Sequence, residues 1–344
     1  MLLLRPFSWI YAAVMSVRNF LFDQYVLKQQ QFPVSTVSVG NLSVGGTGKT
    51  PHTEYILRLL LKEGRKCATL SRGYGRKSQG FRWVSECGSA IEAGDEPWQM
   101  QNKFPSVRVS VCEDRCEGMR HIMAESPETD VVVLDDAFQH RYIKPGMSIL
   151  LTEYARPYSK DRVLPEGRLR ESRKGARRAD LIVVTKCPEV LSREQRQSFI
   201  QHLQPSEHQQ VLFSKICYGR LQPIDGSVLD VQQDNSGKSP LLLCGIANPR
   251  PLEAFLKQTF PLLRTKAYAD HHDFSLAELQ ALENEEMVIT TEKDYARLSA
   301  LPLSEGLKKR LYVIPIEICF ISQQDEKLFN QKIINYVTEN SRNC

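Results

Sequence analysis

A glycine-rich turn, Gly45-Gly46-Thr47-Gly48-Lys49-Thr50, follows the apolar run Val34 to Val39 and precedes a helix-like stretch from Thr53 to Lys62. A strand feeding such a turn into a helix gathers backbone N–H groups, a helix N-terminus and a lysine around one point, as a triphosphate tail requires. The chain is therefore expected to use a nucleotide, with Lys49 reaching the β- and γ-phosphates and the Thr50 hydroxyl ligating Mg²⁺. The strict pattern has glycine five positions before Gly48, where this chain has Ser43. The plainer alternative is an ordinary glycine-rich turn that exposes a lysine.

Beyond the turn, short apolar runs alternate with helical stretches, which predicts an α/β fold with a mostly parallel sheet flanked by helices. Strands are predicted near Val34 to Val39, Lys66 to Leu70, Arg108 to Val111, Asp130 to Leu134, Met147 to Thr152, Asp180 to Thr185 and Gln210 to Lys215. Helices fit Thr50 to Lys62, Glu96 to Lys103, Asp114 to Ala124 and Ser192 to His202. A polar, glycine-bearing stretch within 219–239 reads as a linker between a P-loop NTPase-like core, 29–218, and a smaller C-terminal α/β domain, 240–344, that closes a cleft. In that domain Leu241 to Cys244, Thr265 to Tyr268, Met287 to Thr290 and Leu311 to Ile316 read as strands before a last helix, Gln323 to Thr338.

At 344 residues and 42% hydrophobic content, the chain has material for about two cores. Its net charge of +5 favours anionic partners without requiring nucleic acid. Nine cysteines lack any CxxC pair and read as reduced, buried residues of a cytoplasmic protein rather than a zinc site. Near the N-terminus only twelve uncharged residues, Pro6 to Val17, separate Arg5 from Arg18, too few for a helix that spans a bilayer. On a helix, Phe7, Ile10, Val14, Val17 and Leu21 form an apolar side, opposite a strip of Ser8, Ala12, Ser16, Asn19 and Asp23. Residues 1–28 are thus either a helix packed on the core or an amphipathic helix lying in a membrane interface.

Several loops carry chemistry. Val131 to Leu134 ends in Asp135-Asp136, a buried strand delivering carboxylates toward a metal, and Gln139 and His140 follow within one loop. Asp95, in Gly94-Asp95-Glu96-Pro97, is either a helix cap or a base that takes a hydroxyl proton. Ser71-Arg72-Gly73-Tyr74 and the arginine-rich turn around Arg168, Arg170 and Glu171 suit phosphate, or are a flexible turn and a solvated charge run. Asp270-His271-His272-Asp273 is either a capped turn or an acid/base group across the cleft.

In order along the chain, these segments resemble the tetraacyldisaccharide 4′-kinases of lipid A biosynthesis. The resemblance is carried by Ser38 to Pro51, Ser71 to Tyr74, Gly94 to Pro97, Leu134-Asp135-Asp136-Ala137-Phe138-Gln139-His140-Arg141, Pro165 to Glu171, Asp270 to His272 and Thr291 to Asp294. The family also has a non-glycine residue where Ser43 stands. It implies transfer of the ATP γ-phosphate to the 4′-hydroxyl of a lipid-linked disaccharide 1-phosphate, at the cytoplasmic face of the inner membrane. It further implies that Asp95 and His271 act as a pair. Gly45, Gly46, Thr47, Gly48, Lys49, Thr50, Gln139 and His140 would serve the nucleotide, and Thr50, Asp135 and Asp136 the Mg²⁺. Arg72, Tyr74, Arg168, Arg170 and Glu171 would meet the substrate. An interfacial helix at the N-terminus would bring the enzyme to anionic lipid, and neither nucleic acid nor an obligate protein partner is expected. The competing readings are a P-loop ATPase or GTPase switch acting on a protein at the membrane, and a membrane-docked binding module.

Overall fold

A computed structural model describes residues 4–226, 237–246, 248–269 and 272–341. Its strands are β1 (Ser35–Asn41), β2 (Cys67–Ser71), β3 (Arg82–Trp83), β4 (Arg108–Val111), β5 (Val131–Asp135), β6 (Met147–Glu153), β7 (Leu181–Thr185), β8 (Gln210–Tyr218), β9 (Gln222–Pro223), β10 (Leu241–Cys244), β11 (Arg264–Ala267), β12 (Val288–Thr291), β13 (Leu311–Ile314) and β14 (Ile316–Phe320). Its helices are α1 (Arg5–Asp23), α2 (Lys49–Lys62), α3 (Ala90–Ala93), α4 (Asp95–Lys103), α5 (Arg115–Glu125), α6 (Arg193–Leu203), α7 (Arg250–Thr259), α8 (Leu276–Ala281), α9 (Glu292–Leu298), α10 (Glu305–Lys308) and α11 (Gln323–Ser341).

Nine strands form one sheet in the order β14-β8-β7-β6-β1-β5-β2-β4-β3, parallel except at its two edges, β14 and β3. β1 lies between β5 and β6 with every residue buried, as its run of small and β-branched residues permits. Because its neighbours are parallel to it, the loops after β1, β5, β6, β7, β2 and β4 all leave the same edge, where ligands bind in such sheets. Ile56, Leu57 and Leu60 of α2 pack on one face, and Met119 and Ile122 of α5 help cover the other.

A second sheet runs β11-β10-β12-β13-β9, with β9 antiparallel to the rest. The expected separation at 219–239 and 240–344 needs two corrections. Gln222–Pro223, expected in the linker, is an edge strand of this sheet, while 227–236 lie outside the described residues. The C-terminal segment returns to the large sheet. Pro315 interrupts the apolar run that begins at Leu311, so β13 stops at Ile314 and β14 pairs antiparallel with β8. Phe329, Ile333 and Val337, four residues apart on α11, then bury one stripe in the large core beside Val37 and Met147. The chain thus crosses between sheets twice at one place, where Gly219 N–H donates to Pro315 O at 2.9 Å. The β8–β14 ladder also brings Cys217 and Cys319 together as a bonded pair, so the expectation of nine reduced cysteines fails at these two.

Candidate active site

At the end of β1 the chain turns through Gly45 and enters α2 at Lys49, with Gly48 at φ +87° as its N-cap. Ser43 sits in a β-bridge with Leu169, and its φ is not positive, so this position does not demand glycine. Side chains fix the turn from beneath. Asn41 Nδ2 donates to Thr47 Oγ1 at 2.7 Å, and Thr185 Oγ1 donates to Thr47 O at 2.9 Å. His52 Nδ1 contacts Gly48 O at 2.7 Å and its Nε2 contacts Ser214 Oγ at 3.0 Å. Burial pushes the His52 pKa down to about 4, outweighing the Gly48 carbonyl, so the ring is neutral and gives its Nδ1 proton to that carbonyl. Lys186 Nζ, at the end of β7, donates to Gly46 O and lies 2.5 Å from Glu153 Oε1.

The two aspartates at the end of β5 differ in their surroundings. Asp135 is buried and accepts from Thr53 Oγ1 at 3.2 Å. Burial pushes its pKa up to about 7, the Glu96 carboxylate adds to the rise, and Lys49 opposes it. Asp136 takes a left-handed backbone, φ +48°, which turns its side chain toward Lys49 Nζ at 3.7 Å and Arg170 Nη1 at 3.0 Å. Thr50, Asp135 and Asp136 offer only oxygen donors, the set that Mg²⁺ prefers. A buried carboxylate whose pKa has risen gains most from a nearby cation, and Asn41 Oδ1 is buried there without a hydrogen-bond partner. The residues present therefore fit the metal.

Asp95 is the first residue of α4, and the backbone of Gly94 before it packs on Gly73 of the Arg72-Gly73-Tyr74 turn. Its Oδ2 accepts from Arg297 Nε at 2.9 Å and also from Nη2, from a helix of the second sheet. Glu96, the next residue, lies within electrostatic reach of Asp135. Asp270 and His271 lie outside the described residues. The residues on either side of them border Gly245, where a Cβ would meet Ala269 O at 3.1 Å and His272 Cβ at 3.4 Å. Gly245 N–H donates to Asp294, itself in ion-pair range of Arg297. His272 turns away, stacking on Tyr268 and contacting Glu278.

The arginine turn lies against the glycine loop: Val44 N–H donates to Arg168 O and Arg170 N–H to Leu42 O. Arg168 Nη1 is 4.0 Å from where a Cβ would stand on Gly45. Gln139 is committed to this scaffold, donating to Asn41 O at 2.7 Å and accepting from Arg170. His140 lies beside Tyr142 with Nδ1 buried and unpaired, and burial, then the Arg115 charge, lowers its pKa. Glu171, expected at the substrate, is instead buried, taking bonds from Asn19, Gln139 and both Nη atoms of Arg178. Once neighbouring arginines and amides close around a carboxylate, no acceptor oxygen is left for a ligand. Arg72 and Tyr74 are exposed, Tyr74 at 84%.

The polar strip of α1 docks on these same loops. Ser8 Oγ accepts from Glu166 N–H at 2.8 Å, Tyr11 donates to Arg170 O at 3.0 Å, and Asp23 pairs with Arg141 at 2.7 Å. Its apolar side faces out, with Phe7, Trp9, Ile10, Val14, Val17 and Phe20 each 58 to 71% exposed. No helix among the described residues is long and apolar enough to cross a membrane.

The sequence profile of the family described as tetraacyldisaccharide-1-P 4′-kinase matches residues 1–337. The chain belongs to the tetraacyldisaccharide 4′-kinase family. It is 43% identical to the tetraacyldisaccharide 4′-kinase of Phocaeicola vulgatus, covering 99% of this chain and 96% of that one. It is 44% identical to the corresponding kinase of Bacteroides thetaiotaomicron, covering 99% and 94%. Its fold superposes on the crystal structure of LpxK from Aquifex aeolicus, solved in complex with ATP, with a TM-score of 0.74 at 30% identity over 97% of this chain and 98% of that one. The expected family and P-loop α/β fold therefore both hold.

Sequence reasoning missed Thr53, which donates to Asp135 at 3.2 Å, and Arg115. Arg115 is buried at the start of α5, bonded to Cys112 O at 3.0 Å, and close enough to Asp136 and Asp135 to feel their charge. A basic residue directly after Asp114, at the start of the predicted helix, is the one available signal. His52, Lys186 and Arg297 also escaped notice, because each acts on a partner far along the chain.

Proposed function

We propose that this chain transfers the γ-phosphoryl group of ATP to the 4′-hydroxyl of tetraacyldisaccharide 1-phosphate at the cytoplasmic face of the inner membrane. The observation that supports the reading most is the pair between Asp95 and Arg297, which joins the start of α4 to a helix of the second sheet. Transfer to an alcohol needs a group that takes the hydroxyl proton, and Asp95, joined to the second sheet by that pair, is the group proposed for it.

In this reading the N–H groups of the Gly45 to Thr50 turn and the Lys49 ammonium hold the phosphates, which places the γ-phosphorus for in-line attack. Asp95 accepts the hydroxyl proton as the sugar oxygen bonds to phosphorus. The bond from phosphorus to the bridging oxygen breaks, and ADP leaves with that electron pair, its charge offset by Lys49. Thr50, Asp135 and Asp136 would hold Mg²⁺, which supplies charge neutralisation at the phosphates, and Asp136 also faces Lys49 and Arg170. His271 would orient Asp95. Arg72, Tyr74 and Arg168 are the groups proposed to meet the acceptor lipid, because they are exposed along the same edge.

The outward apolar side of α1 supports a seat in the membrane, since an acceptor with four acyl chains stays in the bilayer while its sugar head reaches the loops beneath the helix. The test is incubation with γ-labelled ATP and the lipid precursor in mixed micelles. Label is expected in a glycolipid that forms only when lipid is present. Release of labelled inorganic phosphate at the same rate with and without lipid would favour the switch reading instead.

A further inference from the structure

We infer that Arg297 is the positioning residue that fixes the Asp95 carboxylate, transmitting the geometry of the small sheet's strand ends to the proton acceptor. The inference rests on the reading of Asp95 as that acceptor.

Arg297 lies on α9, which leaves β12 with Thr291 as its cap; Thr291 Oγ1 accepts from Asp294 N–H at 3.2 Å. Asp294 is fully buried and is fixed twice more, by the Thr291 hydroxyl at 2.7 Å and by Gly245 N–H at 3.0 Å. Its other oxygen lies 3.8 Å from Arg297 Nη1. Arg297 is itself buried, and its guanidinium meets Asp95 through Nε and Nη2. A chain of contacts among the described residues therefore runs from the loop after β10 through Asp294 and Arg297 to Asp95.

A second pair separates positioning from simple adhesion. Lys103, at the far end of α4, bonds Glu292, the first residue of α9, at 2.7 Å and also Glu54 of α2 at 2.7 Å. α4 and α9 thus run antiparallel, with an ion pair at each end, each carboxylate at a helix start and each cation near a helix end. Either pair could hold the helices together. Only the Arg297 pair ends on the proposed acceptor, and its fork places two N–H donors on one carboxylate oxygen, which restrains rotation of the group as a lysine would not. The backbone of Asp95 is set separately, by Gly94 against Gly73.

The full chain is assayed with ATP and the lipid acceptor as wild type, Arg297→Gln, Arg297→Lys, Lys103→Gln, Asp95→Asn and Asp95→Asn with Arg297→Gln. Loss of alignment at a reacting group costs up to about 100-fold. Arg297→Gln is expected to lower kcat about 10- to 100-fold while KM for ATP stays within about twofold, with Arg297→Lys in between. Added to Asp95→Asn, the same change is expected to cost no more than about a further twofold, because the two residues act as one unit. Lys103→Gln is expected to stay within about threefold of wild type.

Equal losses from Arg297→Gln and Lys103→Gln would reduce Arg297 to a strap between sheets and overturn the inference. So would an undiminished effect of Arg297→Gln in the Asp95→Asn background. Wild-type kcat in Asp95→Asn would instead remove the acceptor reading itself, and the inference with it. Where the Gln variant does not fold, Arg297→Lys decides by the same two comparisons, since it keeps the charge but loses the fork.

Discussion

Replacing Ile10 and Val14 together by aspartate separates the two roles that α1 could have, because both side chains are about three-fifths exposed and lie on the strip that faces away from the protein. Fully burying an isoleucine or valine side chain is worth about 2 kcal/mol, so the exposed part of each gives roughly 1.2 kcal/mol on entering the acyl boundary. Two such losses come to about 2.5 kcal/mol. Each new carboxylate is also repelled by an anionic surface by up to about 1 kcal/mol. The total of about 4 kcal/mol predicts a fall of nearly a thousandfold in vesicle partitioning. Folding should scarcely respond, since surface changes of this kind stay within about 0.5 kcal/mol each. The assay is sedimentation with vesicles of zwitterionic and anionic phospholipid, alongside a thermal melt. A fall in partitioning of less than about tenfold would refute the interfacial helix. A melting temperature lowered by many degrees would show that this face packs on protein.

Three further outcomes follow from the core and the loop. Gly40→Ala would set a Cβ 2.6 Å from Phe138 Cβ, where β1 passes the aspartate loop. It should cost about 1 to 3 kcal/mol in urea denaturation, and a loss below about 0.5 kcal/mol would contradict that packing. Burial holds the Glu54 carboxyl above its ordinary range, the Lys103 charge offsetting part of the rise. Its contribution to stability is then fullest below the ordinary carboxylate value and is lost as pH rises through the raised one. Glu54→Gln should therefore gain on wild type as pH rises above the ordinary carboxylate range, and a constant gap in urea midpoints would contradict the shift. Lys49→Ala should lower kcat/KM by about 100-fold or more with an intact fold, because Asp136 keeps Arg170; near-normal turnover would remove Lys49 from the phosphate site.

Much of this architecture is legible locally. The strand, glycine loop and helix around Lys49 are specified by neighbouring residues, and so is the buried run that ends at Asp135, because strand burial and helix starts leave short-range patterns. Contacts between distant residues leave none. Arg297 and Asp95 stand 202 residues apart, and nothing in either segment announces the other. Glu171 reads as a surface charge among arginines, but its bonds to Arg178 and Asn19 draw it inside. The last strand and helix have the periodicity expected of them, yet their destination depends on Pro315 and on an open edge at β8, which only the assembled sheets reveal. The helical period at the N-terminus is equally plain, but whether its apolar side faces inward follows from the partners of Ser8, Tyr11 and Asn19.

The most direct test of the central claim is the position of the new phosphate on the glycolipid formed from ATP and tetraacyldisaccharide 1-phosphate, read by phosphorus NMR and mass spectrometry, for wild type and Asp95→Asn. The account predicts one new monoester at the 4′ oxygen with wild type and almost none with the variant, although the variant still binds nucleotide. A pyrophosphate at the 1 position, or equal yields from both proteins, would contradict it.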